Sequence, residues 1–148
     1  MSPLELLAGQ ARWTGESIAY NLQFVPDDRL DWKPAPTAKS VLEIVNHTVG
    51  AMKGMTSAVR GGGWNIPQFT PAANRADAQS MIREATREYA DAVQALSVDD
   101  LQKNVEVPFG TFPLWQFTGF GIVELQHHRG QICYLQTLWG DTEDHFNL

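Results

Sequence analysis

Gly119-Phe-Gly-Ile-Val-Glu-Leu-Gln-His-His-Arg-Gly-Gln-Ile-Cys-Tyr-Leu-Gln-Thr-Leu-Trp-Gly140 decides how the rest of the chain reads. It has the pattern of a long helix with Glu124, His127 and His128 in its middle. A helix turns roughly 100° per residue. Measured around that wheel from Glu124, Phe117, Leu135, His128, Trp139 and Ile132 follow one another on the same side, all within about 80°. The apolar face is therefore centred close to Glu124 and His128. His127 lies at its rim, about 60° from Glu124 on the other side. A carboxylate and an imidazole one turn apart and aimed at a core are costly to bury unless they are paired or bound to a metal.

Working outward, Pro113 suits the first turn of this helix and Gly140 its end. Upstream, Val105 to Pro113 reads as extended, a small hairpin arm. Ser97-Val-Asp-Asp100 begins a short capped turn. Asn74 to about Leu96 is helical, with Met81, Ala85, Tyr89, Ala92 and Leu96 on one stripe and charges opposite. Ser40-Val-Leu-Glu43 is a capping box that opens a helix to about Val59, before Gly61-Gly-Gly63. His47 lies on that helix among Ile44, Ala51 and Gly54, and small neighbours predict free space beside it. Trp64 reads as an exposed loop residue. Ser2-Pro3 caps a first helix running to about Phe24, and the proline-rich Pro26–Pro36 segment forbids a regular helix. Four helices of roughly 20 to 25 residues predict an all-α fold, a four-helix bundle, as one domain over 1–148. The longer second and third connections suggest a crossover topology.

Composition narrows the function. At 148 residues the chain can bury a real core. The net charge of −6, without a basic run, argues against nucleic acid. No apolar run approaches the ~18 residues of a membrane span. The lone Cys133 excludes an intrachain disulfide, and the first residues carry no signal-peptide pattern. A cytoplasmic protein is expected.

Glu124 and His128 from the fourth helix and His47 from the second compose a candidate metal site. Bundles build such sites from inward side chains on facing helices. Two imidazoles and a carboxylate suit Zn²⁺, Ni²⁺ or Fe²⁺, and three ligands leave positions open for water or substrate. His127 is expected to line the site rather than ligate, because adjacent helical residues point about 100° apart. Gln131 is expected behind a ligand, as an acceptor for its other nitrogen. Arg129 points toward surface or interhelical pairing, Gly130 toward close helix packing and Cys133 toward an interface. Glu124-Leu-Gln-His127 is also the Glu-x-x-His of di-iron bundles, but the chain has only four histidines and no second such pair. His-Glu-x-x-His is absent, which disfavours a zincin protease. His145, in the tail, reads as solvent-exposed.

His127-His-Arg-Gly-Gln131, with Glu124 ahead of it, resembles the His-His-Arg-Gly-Gln signature of the DinB/YfiT-like superfamily. Leu30-Asp-Trp-Lys-Pro-Ala-Pro36, followed by Ser40-Val-Leu-Glu-Ile-Val-Asn-His47, resembles that family's other signature. Glu124 stands where many members have histidine. The resemblance implies a metal-binding bundle in up-down-down-up order, often dimeric. It also implies an enzyme of the thiol S-transferase type that uses a low-molecular-weight thiol on a small electrophile. A metal-dependent hydrolase and a non-catalytic metal-binding dimer are the alternatives. Trp115, Ile122 and Cys133, opposite the ligands on the fourth helix, suggest the face of a homodimer.

Overall fold

The computed structural model describes residues 1–146. Four helices carry the chain: α1 (Pro3–Leu22), α2 (Val41–Val59), α3 (Arg75–Gln94) and α4 (Leu114–Leu138). Between α3 and α4 lies an antiparallel hairpin of β1 (Asn104–Val107) and β2 (Gly110–Pro113), with Val105 opposite Phe112. Among the described residues this is the only sheet, so the fold is all-α. None of the described helices is long and apolar enough to cross a membrane.

The helix starts follow local chemistry. Ser2 and Glu5 close a capping box on α1, and Ser40 and Glu43 close another on α2. In the second, Ser40 Oγ accepts from the Glu43 amide at 3.2 Å and the Glu43 carboxylate accepts from the Ser40 amide at 2.9 Å. Each reciprocal pair satisfies two amides that the helix leaves without partners. Asn74 caps α3 by accepting from the Asp77 amide. The Ser97 turn forms as the pattern predicts, with Asp100 N–H donating to Ser97 Oγ.

The helices pack in a ring: α1 against α3, α3 against α2, α2 against α4, and α4 against α1. Arg12 meets Asp91 at 2.7 Å and Arg83 meets Glu16 at 2.7 Å, so α1 and α3 run in opposite directions. Arg129 reaches Ser17 and Gln136 reaches Asn21, so α1 and α4 run the same way. The buried Asn21–Gln136 pair exchanges two hydrogen bonds, at 3.0 and 2.9 Å, which meets the polar demand of both amides inside the core. Tyr89 is the largest fully buried side chain, and its hydroxyl donates to the Thr118 carbonyl at 2.6 Å. Its ring lies directly over Gly121, where any Cβ would collide with it. Gly121 therefore sets how closely α3's tyrosine can seat against α4.

Four sequence expectations change. Ile122 is buried within the chain, because α4 is covered on a wider arc than one apolar face. Trp64 is only half-exposed: it packs over Gly54, with Phe69 over Gly50. Asn46 holds that loop by a pair of hydrogen bonds to Ala72, at 3.1 and 2.8 Å. Gly50 and Gly54 of α2 thus accommodate aromatic side chains. Gly130 faces open space, so close packing is not its role. His145 is not solvated: it stacks on Phe24 at 3.9 Å between ring centroids and pairs with Asp141 at 2.8 Å. Gly140, at φ +93°, turns the tail back and brings these residues together.

Candidate metal centre

α2 presents His47 toward α4, which carries Glu124 and His128 one turn apart. One ligand atom from each lies within 4.8 Å of the other two. His128 Nε2 is 2.8 Å from Glu124 Oε1, and His47 Nε2 is 3.5 Å from the same oxygen. The two imidazoles meet edge to face, 4.9 Å between centroids. Among the described residues no fourth His, Cys, Asp or Glu joins the cluster.

The three groups are not equally buried. The His128 side chain is 6% exposed, that of Glu124 25% and that of His47 50%. The wheel of α4 places His128 inside, as observed. The expectation that His47 also faces the core does not hold. His47 follows Glu43 by one turn, at the border of the polar stripe that Glu43, Asn46, Lys53 and Ser57 form on α2. His47 sits at the mouth of the site and His128 at its floor.

Hydrogen bonds fix the floor. Gln131 Oε1 lies 2.7 Å from His128 Nδ1 and accepts its proton, while Nε2 faces Glu124. Burial opposes a charge on His128, but the bonds to Glu124 and Gln131 outweigh it and raise its pKa. The hydrogen bond from His128 holds the Glu124 carboxyl below its ordinary value against the effect of burial. His47 is held below its ordinary value, first by partial burial and then by the charge of His128. Glu124 kept ionised and His47 kept neutral are the forms in which these groups ligate metals, while His128, whose pKa is raised, gives up its Nε2 proton when an ion binds. The donor set therefore fits a divalent ion of the Zn²⁺, Ni²⁺ or Fe²⁺ kind, with His128 Nε2 presented and its other nitrogen already held.

His127 is exposed and turned from the cluster, its ring 4.8 Å from that of His128. With Gln131, Lys39 and Tyr134 it lines a cavity of about 580 Å³ on one side of the triad. A second cavity, of about 340 Å³, opens on the other side, walled by His47, Glu124, Ala51, Met55, Trp64, Phe109, Phe120 and Val123. Sequence reasoning missed Lys39, Trp64 and Phe109 as neighbours of the site, because each arrives on a connection whose path no periodicity records. Arg129 leaves the cluster: its Nε donates to Ser17 Oγ and its guanidinium lies 3.8 Å over the Phe146 ring. Cys133 is half-buried beside Asn21 of α1, apart from the triad, and burial pushes its thiol up.

None of the proteins with curated descriptions matches this chain. Among solved structures, a DinB-like protein from Bacillus subtilis is 15% identical, with a TM-score of 0.77 over 93% of this chain and 94% of that one. A DinB-like protein from Bacillus cereus is 22% identical, with a TM-score of 0.70 over 86% and 87%. At these identities the likeness is one of fold. The sequence profile of the DinB superfamily matches residues 10–132, which takes in the helix of Glu124 and His128 as well as His47, and the chain belongs to that superfamily.

Proposed function

We propose that His47, Glu124 and His128 hold one divalent metal ion in an open three-ligand site. We further propose that the protein is a metal-dependent enzyme of the thiol S-transferase type, acting on a small electrophile. The observation that carries this reading is the convergence of three ligand atoms within 4.8 Å from two facing helices. A bound divalent ion lowers the pKa of a thiol or water beside it, so that the nucleophile exists near neutral pH. The residues of the chain do the positioning. Gln131 orients His128, Glu124 stands between the two imidazoles, and His47 leaves the mouth accessible. Lys39 and His127, in the cavity beside the site, suit a co-substrate that carries a carboxylate.

The whole chain is read as one four-helix bundle in up-down-down-up order, which the pairings of α1 with α3 and with α4 support. A cytoplasmic homodimer completes the proposal. Its support is the exposed Trp115 on α4, since Ile122 is used within the chain and Cys133 is half-buried.

Elemental analysis of tag-free protein tests the metal. Wild type and His127→Ala are expected to carry about one equivalent, and His128→Ala none, because two ligands rarely hold a first-row metal against water. Loss of metal from His127→Ala with retention by His128→Ala would overturn the ligand assignment.

A further inference from the structure

The two cavities beside the triad differ in chemistry, and the smaller one is the more selective. Its wall is almost wholly apolar: Ala51 and Met55 from α2, Phe120 and Val123 from α4, Trp64 from the loop after α2, and Phe109 from the hairpin tip. Its only ionisable groups are His47 and Glu124, two members of the triad. Trp64 and Phe109 meet edge to face at 5.3 Å, with their planes at 84°. Trp64 is held in place from behind, because it packs against α2 where Gly54 has no side chain. At about 340 Å³ the cavity lies at the small end of the ~300–1,000 Å³ range of ligand sites.

From this geometry we infer that the cavity is a binding site for a small, uncharged, planar ligand, aromatic or similarly unsaturated, whose polar end points at His47 and Glu124. Aromatic walls favour a planar ligand through edge and face contacts. In the metal-free protein a carboxylate inside would give up its hydration to an apolar wall, with Glu124 as its neighbour and no cationic side chain among the lining residues. Anionic ligands belong on the Lys39 side. The inference deepens the proposed function by naming the class of the electrophile. Its catalytic meaning rests on that reading, but the binding itself does not.

Benzyl alcohol and benzoate, which share a ring and differ in charge, are the probes. Each is titrated into full-length protein treated with a chelator, and then into zinc-loaded protein. The readout is the indole N–H resonance of Trp64, assigned by its loss in Trp64→Phe. Benzyl alcohol is expected to shift this resonance saturably in both preparations, and benzoate to leave it unmoved in the chelator-treated protein. Ala51→Leu fills the cavity from α2 and should weaken benzyl alcohol about tenfold or more. Phe109→Ala, at an exposed hairpin tip, should weaken it without threatening the core. If Ala51→Leu does not fold, Phe109→Ala decides. An unmoved Trp64 resonance, equal binding in the folded variants, or equal binding of benzoate to the chelator-treated protein overturns the inference. Should the protein take up no zinc while benzyl alcohol still binds at Trp64, the metal reading fails and the cavity assignment stands.

Discussion

His128 and His127 are adjacent in sequence and have opposite fates. The angular reading of α4 separates them, because one turn sets each residue's direction within a few tens of degrees. His128 is buried against Glu124 and Gln131, while His127 faces solvent. Gln131 does no ligation in the proposed site, yet it fixes the ring plane and tautomer of His128. Gln131→Leu removes that acceptor while keeping the side chain's bulk. It is expected to weaken metal affinity by roughly 10–100-fold, the usual cost of losing a partner behind a ligand. Competition with a metallochromic indicator measures it, and unchanged affinity would show that packing alone holds the ring. His47 is harder to place from sequence. It lies at the border between the apolar face of α2 and a polar stripe of Glu43, Asn46, Lys53 and Ser57, so the wheel does not assign it to either. Of its small neighbours, Ala51 borders free space beside His47, as expected, whereas Gly54 seats Trp64 of the following loop.

At the scale of elements, capping boxes and glycines carry most of the legible information. Ser2, Ser40 and Asn74 each fix a helix start through bonds made within four residues, so the starts can be read locally. The ends lie within about two residues of expectation, as fraying ends usually do. The tail beyond Gly140 escaped prediction because the stacking of His145 on Phe24 joins opposite ends of the chain. The α3–α4 contact offers a direct test of packing. Gly121→Ala puts a methyl group where the Tyr89 ring lies. The ring must shift, and its hydrogen bond to the Thr118 carbonyl is strained or lost. A destabilisation of about 1–3 kcal/mol is expected in denaturant unfolding, typical of forced overpacking. A neutral result would mean that Tyr89 has room to move, contrary to its complete burial.

For the whole molecule, the all-α class is legible because four periodic segments leave little chain for a sheet. The order of packing around the ring is not, since periodicity says which face is buried but not against which partner. Only pairs such as Arg83 with Glu16 and Arg129 with Ser17 reveal it. Self-association is a property of this scale too. Trp115 remains largely exposed on α4. Light scattering at micromolar concentration is expected to give twice the chain mass of 16.5 kDa. A monomer mass would remove the dimer from the proposal.

His47 lies in the first half of the chain and Glu124 and His128 in the second, and among the described residues no other helix supplies a ligand. An ion bound there would act as a reversible staple across one seam of the ring. Stapling distant segments removes loop-closure entropy from the unfolded chain, and ligand binding adds its own mass-action stabilisation. The seam between α1 and α3 has separate fasteners in Arg12–Asp91 and Arg83–Glu16. Stripping the metal should therefore loosen the molecule unevenly. Amide hydrogen exchange is expected to quicken in α2 and α4 around the triad and to change little along α1 and α3. Uniform quickening over all four helices would mean that the fold opens as one unit and that the staple serves it as a whole.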